Sequence, residues 1–261
     1  MIELEKEEKR RAENKAILSA MEEFASYSRS AFDHYPEAAF RGIASSELTT
    51  TKMRESLEWF LGSPEYKSWS SGSTSQFLWH SGPPGSGKTT TSLFVVDDFT
   101  ETFLKCAVYL FCGLHVWPQP LTSAMLVYSM LAQLLDTRPD LLEKIYPEDR
   151  LHLLHEGHSS REGILWEILR VSMDKMNEHE IYIVIDGIDK ISIEQRKLFL
   201  GSLCELPKAS TKLLRILVSS RSYPDIQKSL NDLPFINPDK ESLGNYWRLE
   251  FQTVKIALLT A

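Results

Sequence analysis

FLWHSGPPGSGKTTTSL, residues 77–93, is the stretch on which the fold turns. QFLWHS reads as a buried strand, and a helix follows from Gly87 to about Phe103. Between them, Gly82-Pro83-Pro84-Gly85-Ser86-Gly87-Lys88-Thr89 fits the pattern G-x-x-x-x-G-K-[ST] with the flanks that pattern needs. Glycines leave successive backbone N–H groups free to turn inward around a phosphate, where a Cβ would intrude. The helix N-terminus adds its partial positive charge. The loop is therefore expected to hold the phosphates of ATP/ADP or GTP/GDP with Mg²⁺, through Gly82, Pro83, Pro84, Gly85, Ser86, Gly87, Lys88, Thr89 and Thr90. Lys88 is placed to reach the β- and γ-phosphates, and the Thr89 hydroxyl to ligate the metal. The alternative, a Gly-Pro connection with no ligand, has no need of the complete pattern. The motif speaks to binding and leaves hydrolysis open.

Outward from this loop, strands alternate with helices. CAVYLFC, IYIVID and LLRILVSS read as further strands, apolar on both faces. Residues 121–135 are apolar nearly all round, Ile164, Leu165, Ile168, Leu169 and Met173 form a helical stripe, and 194–206 are helical. Apolar strands separated by helices require a parallel sheet covered on both faces, so the class is α/β in three layers. Before the sheet, residues 3–30 read as a helix, MRESLEWFL as a short helix ended by Gly62 and Pro64, and SSGSTS as a flexible lead-in.

A phosphate loop needs a second acid at the C-terminal end of a buried strand. Asp186 closes IYIVID and is assigned to Mg²⁺ together with Thr89. Asp189 is a candidate for positioning the attacking water, with a helix cap as its plainer alternative. Arg221, just past LLRILVSS, is placed to sense a γ-phosphate; pairing with a surface carboxylate is the alternative. Asp189 and Arg221 form the expected catalytic set.

Leu57-Glu58-Trp59-Phe60-Leu61, Tyr66, Trp69, FLWHSGPPGSGKT, YLFC, IYIVIDGIDK and ILVSSRSYPDI occur in the order found in NACHT-type NTPases. Over residues 36–230 the chain most resembles the fungal branch of the STAND class, the NOD-like receptors. The resemblance implies a P-loop NTPase core of the ASCE type, a parallel five-stranded sheet in the order five-one-four-three-two, and an N-terminal helical extension. It also implies a signalling switch that is closed with diphosphate and forms a homo-oligomer with triphosphate. Lys88 and Thr89 match the family's Walker A motif; Asp186, Gly187 and Asp189 match its D-G-x-D; Arg221 matches the arginine of its T-S-R. Two positions depart: Lys190 stands where an acid is usual, and Ser219-Ser220 replaces Thr-Ser. The domain plan is an extension over 1–75, a core over 76–231 and an atypical tail over 232–261. That tail does not resemble the lid, winged helix and repeats that continue the family, so a truncated product or a minimal core is expected.

The bulk numbers bound the partners. A formal charge of −7 over 261 residues argues against nucleic acid and anionic membranes as partners, since both call for cationic surface. Three cysteines without C-x-x-C spacing imply reduced thiols and a cytoplasmic address. His152, His155 and His158 are read as solvated, Trp79, Trp117 and Trp166 as packing residues, and Cys106 and Cys112 as buried thiols on one strand face. Three functions compete: a slow NTP-hydrolysing switch, a binding or scaffold module with little or no hydrolysis in which nucleotide is structural or no longer bound, and a P-loop kinase, the last disfavoured by the lack of an arginine cluster.

Overall fold

The computed structural model describes residues 54–55, 57–99, 106–113, 120–138, 140–141 and 161–238. Helices α1 (Glu58–Leu61) and α2 (Pro64–Ser71) precede strand β1 (Gln76–Ser81), which the glycine-rich loop joins to α3 (Lys88–Asp97). Then come β2 (Cys106–Phe111), α4 (Ser123–Thr137), α5 (Arg161–Asp174), β3 (Glu180–Asp186), a 3-10 turn (Ile188–Lys190), α6 (Ile193–Ala209), β4 (Leu213–Ser220), α7 (Pro224–Leu230) and β5 (Phe235–Ile236). The sheet runs β2-β3-β4-β1-β5 and every pairing is parallel. Read from the other edge this is the order five-one-four-three-two, and the class is the expected one.

Strand periodicity explains the layers. In β3, Ile181, Ile183 and Ile185 pack with Leu126, Met130, Leu165, Leu169, Phe199 and Leu203 of α4, α5 and α6. Tyr182 and Val184, on the opposite face, pack with Phe60, Trp69, Leu93 and Val96 of α1, α2 and α3. Two helical layers thus cover one sheet, which is why its strands are apolar throughout. The same alternation puts Asp186 on the α3 face, in step with Tyr182 and Val184. Trp79 and Trp166 are buried in the first of these cores, as expected of packing residues, and Cys112 is buried too.

Three local readings change. Pro64 opens a second helix: it sits in the first turn of α2, whose cap Ser63 accepts a hydrogen bond from the Tyr66 N–H at 3.2 Å. The SSGSTS lead-in is pinned. Arg215, 1% exposed, donates to the Gly72 and Thr74 carbonyls and to Glu180, while Ser75 Oγ accepts from the Leu214 N–H at 2.9 Å. A buried guanidinium must spend its donors, and the lead-in backbone is what it reaches. The fifth strand is only Phe235–Ile236, too short to show a period, and lies in the stretch read as tail. Helix 3–30, the histidine trio, Trp117 and the end of the chain fall outside the described residues.

Candidate functional site

The site lies where β1, β3 and β4 end side by side. Register sets Ser81 beside Ser220 and Ile185 beside Val218, so the loop after β1, Asp186 and Ser219–Ser220 meet at one edge. Gly82 N–H donates to the Ser220 carbonyl at 3.3 Å, and Trp79 Nε1 donates to Ser220 Oγ at 2.8 Å, fixing the loop's root on β4. Gly85 and Gly87 have φ of 75° and 77°, in the region where a side chain is strained. Gly87 is also the residue from which α3 starts.

Lys88 folds back over the loop. Its Nζ donates to the Gly82 carbonyl at 2.9 Å, to the Pro83 carbonyl at 2.7 Å and to Ser86 Oγ at 3.1 Å. Burial draws its pKa below the ordinary lysine value, while Asp186 and Asp189 oppose that pull. Thr89, one residue on, donates from Oγ1 to Asp186 Oδ2 at 2.9 Å. This brings the assigned Walker A hydroxyl and Walker B carboxylate together. Asp186 is buried and accepts on its other oxygen from Ser219 and, at 3.4 Å, from Ser92. Burial raises its pKa, and the hydroxyls from Ser219 and Thr89 work against the rise. An oxygen pair of a hydroxyl and a carboxylate is the donor chemistry a hard cation such as Mg²⁺ takes.

Gly187 turns the chain sharply after Asp186, with φ of 72°, and its N–H donates to the Ser219 carbonyl at 3.1 Å. The 3-10 turn that follows carries Asp189, whose side chain is 4% exposed. Its Oδ1 accepts from the Arg221 N–H at 3.2 Å, and its Oδ2 lies 3.6 Å from Arg221 Nε. Asp189 and Arg221 are therefore joined to each other. The cap role weighed for Asp189 belongs to Ser192, which accepts from the Gln195 N–H at the start of α6. Lys190 is exposed, and its stem lies next to Gly113 and Gly187.

Two residues of the site were not singled out from the sequence. His80, directly before Ser81 and the loop, is fully buried with both ring nitrogens unpartnered, against the rings of Trp59 at 5.6 Å and Phe60 at 5.1 Å. Burial first, and then the charge of Lys88, hold its pKa down at about 3. Arg196 is the other; it binds Asp225 through two hydrogen bonds of 2.5 and 2.6 Å. A charged residue four positions past a Ser cap was the available signal for Arg196 in the sequence, and it names no partner.

A parallel sheet with a glycine loop feeding a helix at the end of β1, and an acid at the end of β3 reached by that helix, defines a P-loop NTPase fold. The nephrocystin 3 N-terminal family model matches residues 55–221, well over half of the chain, and the chain belongs to that family. No curated protein matches it. Among solved structures, a chain from Drosophila ORC bound to AT-rich DNA and Cdc6 is similar with a TM-score of 0.36 and 12% identity, covering 88% of this chain and 58% of that one. A chain from Drosophila ORC bound to DNA has a TM-score of 0.37 and 12% identity over 72% of this chain and 91% of that one. The present chain thus spans less than two thirds of the first of these.

One expectation is corrected here. Nucleic acid was excluded from the partners on net charge, yet both similar structures are DNA-bound assemblies. A total of −7 averages over a whole surface and sets no bar to a local contact, so the exclusion is withdrawn. No described helix is long and apolar enough to cross a membrane.

Proposed function

We propose that the chain binds a nucleoside triphosphate with Mg²⁺ on residues 82–90 and acts as a switch with slow hydrolysis. The observation that carries this reading is the 2.9 Å hydrogen bond from Thr89 to Asp186, which unites the first turn of α3 with the end of β3. The residues fit the metal: Thr89 and Asp186 supply the hydroxyl and carboxylate that would hold Mg²⁺, which when bound neutralises phosphate charge. The backbone of 82–88 cradles the phosphates, and Lys88 exchanges its loop carbonyls for phosphate oxygens. Asp189 holds the attacking water, and Arg221 meets the γ-phosphate. Because these two are paired with one another, each is released as the third phosphate engages Arg221. The resemblance to fungal NOD-like receptors of the STAND class supports a signalling role, with a homo-oligomer as the active form.

A scaffold with little turnover is the second reading. Two observations favour it: Lys88 already has three acceptors on its own loop, and Lys190 occupies the position next to Asp189 where an acid would help orient water.

The test is calorimetric titration of the chain with ATP, ADP and GTP plus Mg²⁺, with phosphate release followed in the same samples and Lys88→Ala as control. Binding lost in the variant, with slow release in the native chain, is expected. Tight binding with no release favours the scaffold. Absence of binding by folded native chain refutes the switch and leaves a scaffold that no longer holds nucleotide.

A further inference from the structure

One buried guanidinium ties together the two turns that leave β3 and β4. Arg196, near the start of α6, has 7% of its side chain exposed. Its Nε and Nη2 bind the two oxygens of Asp225, at 2.5 and 2.6 Å, in the first turn of α7. Its Nη1 donates to the Asp189 carbonyl at 3.2 Å and to the Ile191 carbonyl at 3.4 Å. Its Cζ stands 5.3 Å from the centre of the Tyr223 ring, and the Tyr223 hydroxyl accepts from Arg221 Nη1 at 3.3 Å. Arg221 in turn holds Asp189 through its backbone N–H and its Nε. The contacts close into a ring, Arg196, Tyr223, Arg221, Asp189 and back to Arg196, with Asp225 tied to it through Arg196.

Such a ring is more than filler. Apolar residues could occupy the same volume, whereas a planar fork meeting a carboxylate in two parallel bonds fixes orientation as well as distance. Hydrogen bonding from Arg196 also holds the Asp225 carboxyl below its ordinary range. Among the described residues, this ion pair links α6, the turn bearing Asp189 and the helix that follows Arg221.

We propose that Arg196 is the positioning residue of the pair Asp189–Arg221, and that its lock on Asp225 lets α7 respond to whether a third phosphate is present. The proposal rests on the nucleotide reading above. A γ-phosphate competes with Asp189 for the Arg221 guanidinium, and a diphosphate does not reach it. Drawing Arg221 away removes its hold on Tyr223 and Asp189, and the strain passes through Arg196 to Asp225 and α7. Coupling of this kind is reciprocal, so loosening Arg196–Asp225 must alter triphosphate affinity more than diphosphate affinity.

The experiment compares the whole chain with Asp225→Asn, Arg196→Lys and Arg196→Gln. For each, affinities for ATP and ADP, and for GTP and GDP, are measured with Mg²⁺ by calorimetry, and Tm by circular dichroism. Asp225→Asn keeps the shape and weakens the bidentate pair; Arg196→Lys keeps the charge and loses the fork. Both are expected to change the triphosphate-to-diphosphate affinity ratio by at least about fivefold, the lower end of ordinary couplings, with diphosphate affinity nearly unchanged. A ratio that stays the same, or equal losses for both nucleotides that follow the fall in Tm, overturns the proposal and leaves a structural tie. Should Arg196→Gln fail to fold, the other two variants decide. A native chain that binds neither nucleotide refutes the site's reading instead, which is a different result.

Discussion

Acid should loosen this fold through His80, and the effect is calculable. The imidazole is fully buried between the rings of Trp59 and Phe60, with no hydrogen-bond partner on either nitrogen and the charge of Lys88 in electrostatic reach. Its strand neighbours in register are Ser219 on β4 and Ile236 on β5, neither of which ionises. The folded pKa is pushed down to about 3 from 6.5. The unfolded chain therefore takes a proton below pH 6.5, while the folded one declines it until about pH 3. Stability from this residue is complete above the unfolded value and falls as pH drops through that window. Between pH 7.5 and 5.0 the loss is about 2 kcal/mol from this one group. With a slope of roughly 2–3 kcal/mol per molar urea, that is a midpoint shift of roughly 0.7–1 M. Urea unfolding followed by tryptophan fluorescence at the two pH values, for native chain and His80→Leu, isolates it, since every other group titrates in both. The native midpoint should fall further than the variant's by that amount. Equal falls would mean that His80 accepts a proton inside the fold, and the reasoning would be wrong.

Lys88→Ala removes a charged donor to phosphate and should weaken triphosphate binding roughly 10- to 100-fold, from about 1.5–3 kcal/mol per charge-assisted bond; calorimetry reads it directly. Asp186→Asn should abolish Mg²⁺-dependent binding yet raise Tm by a few degrees. Burial raises this carboxyl's pKa, so its ionised form costs stability above the unfolded value, and neutralising it removes that cost. Gly187→Ala should cost about 1 kcal/mol because φ is 72° and the new Cβ would sit 3.4 Å from the Gly113 nitrogen. A drop in Tm together with slowed phosphate release would show the turn bearing Asp189 displaced; unchanged release would separate that turn from hydrolysis.

Much of the site could be read from residues alone, because its parts are local signals. A glycine loop between strand and helix, and an acid closing an apolar run, are fixed by neighbours in the chain. Asp186 shows this well: strand periodicity places it, and the structure adds the hydroxyls of Thr89, Ser92 and Ser219 on its oxygens. Asp189 and Arg221 were named as separate candidates, but their mutual pairing could not be, since they lie 32 positions apart. His80 looked like one polar residue in a strand; its meaning comes from α1 closing over it.

The sequence by itself determined the α/β class, four of the strands and the glycine loop between β1 and α3, because hydrophobic period and glycine spacing act over a few residues. Only the tertiary structure decided the two-residue β5, the pinning of the lead-in by Arg215 and the clamp of Arg196 on Asp225. Those depend on partners far along the chain. A buried charge must find its counterpart in space, and no local pattern records which residue will be there.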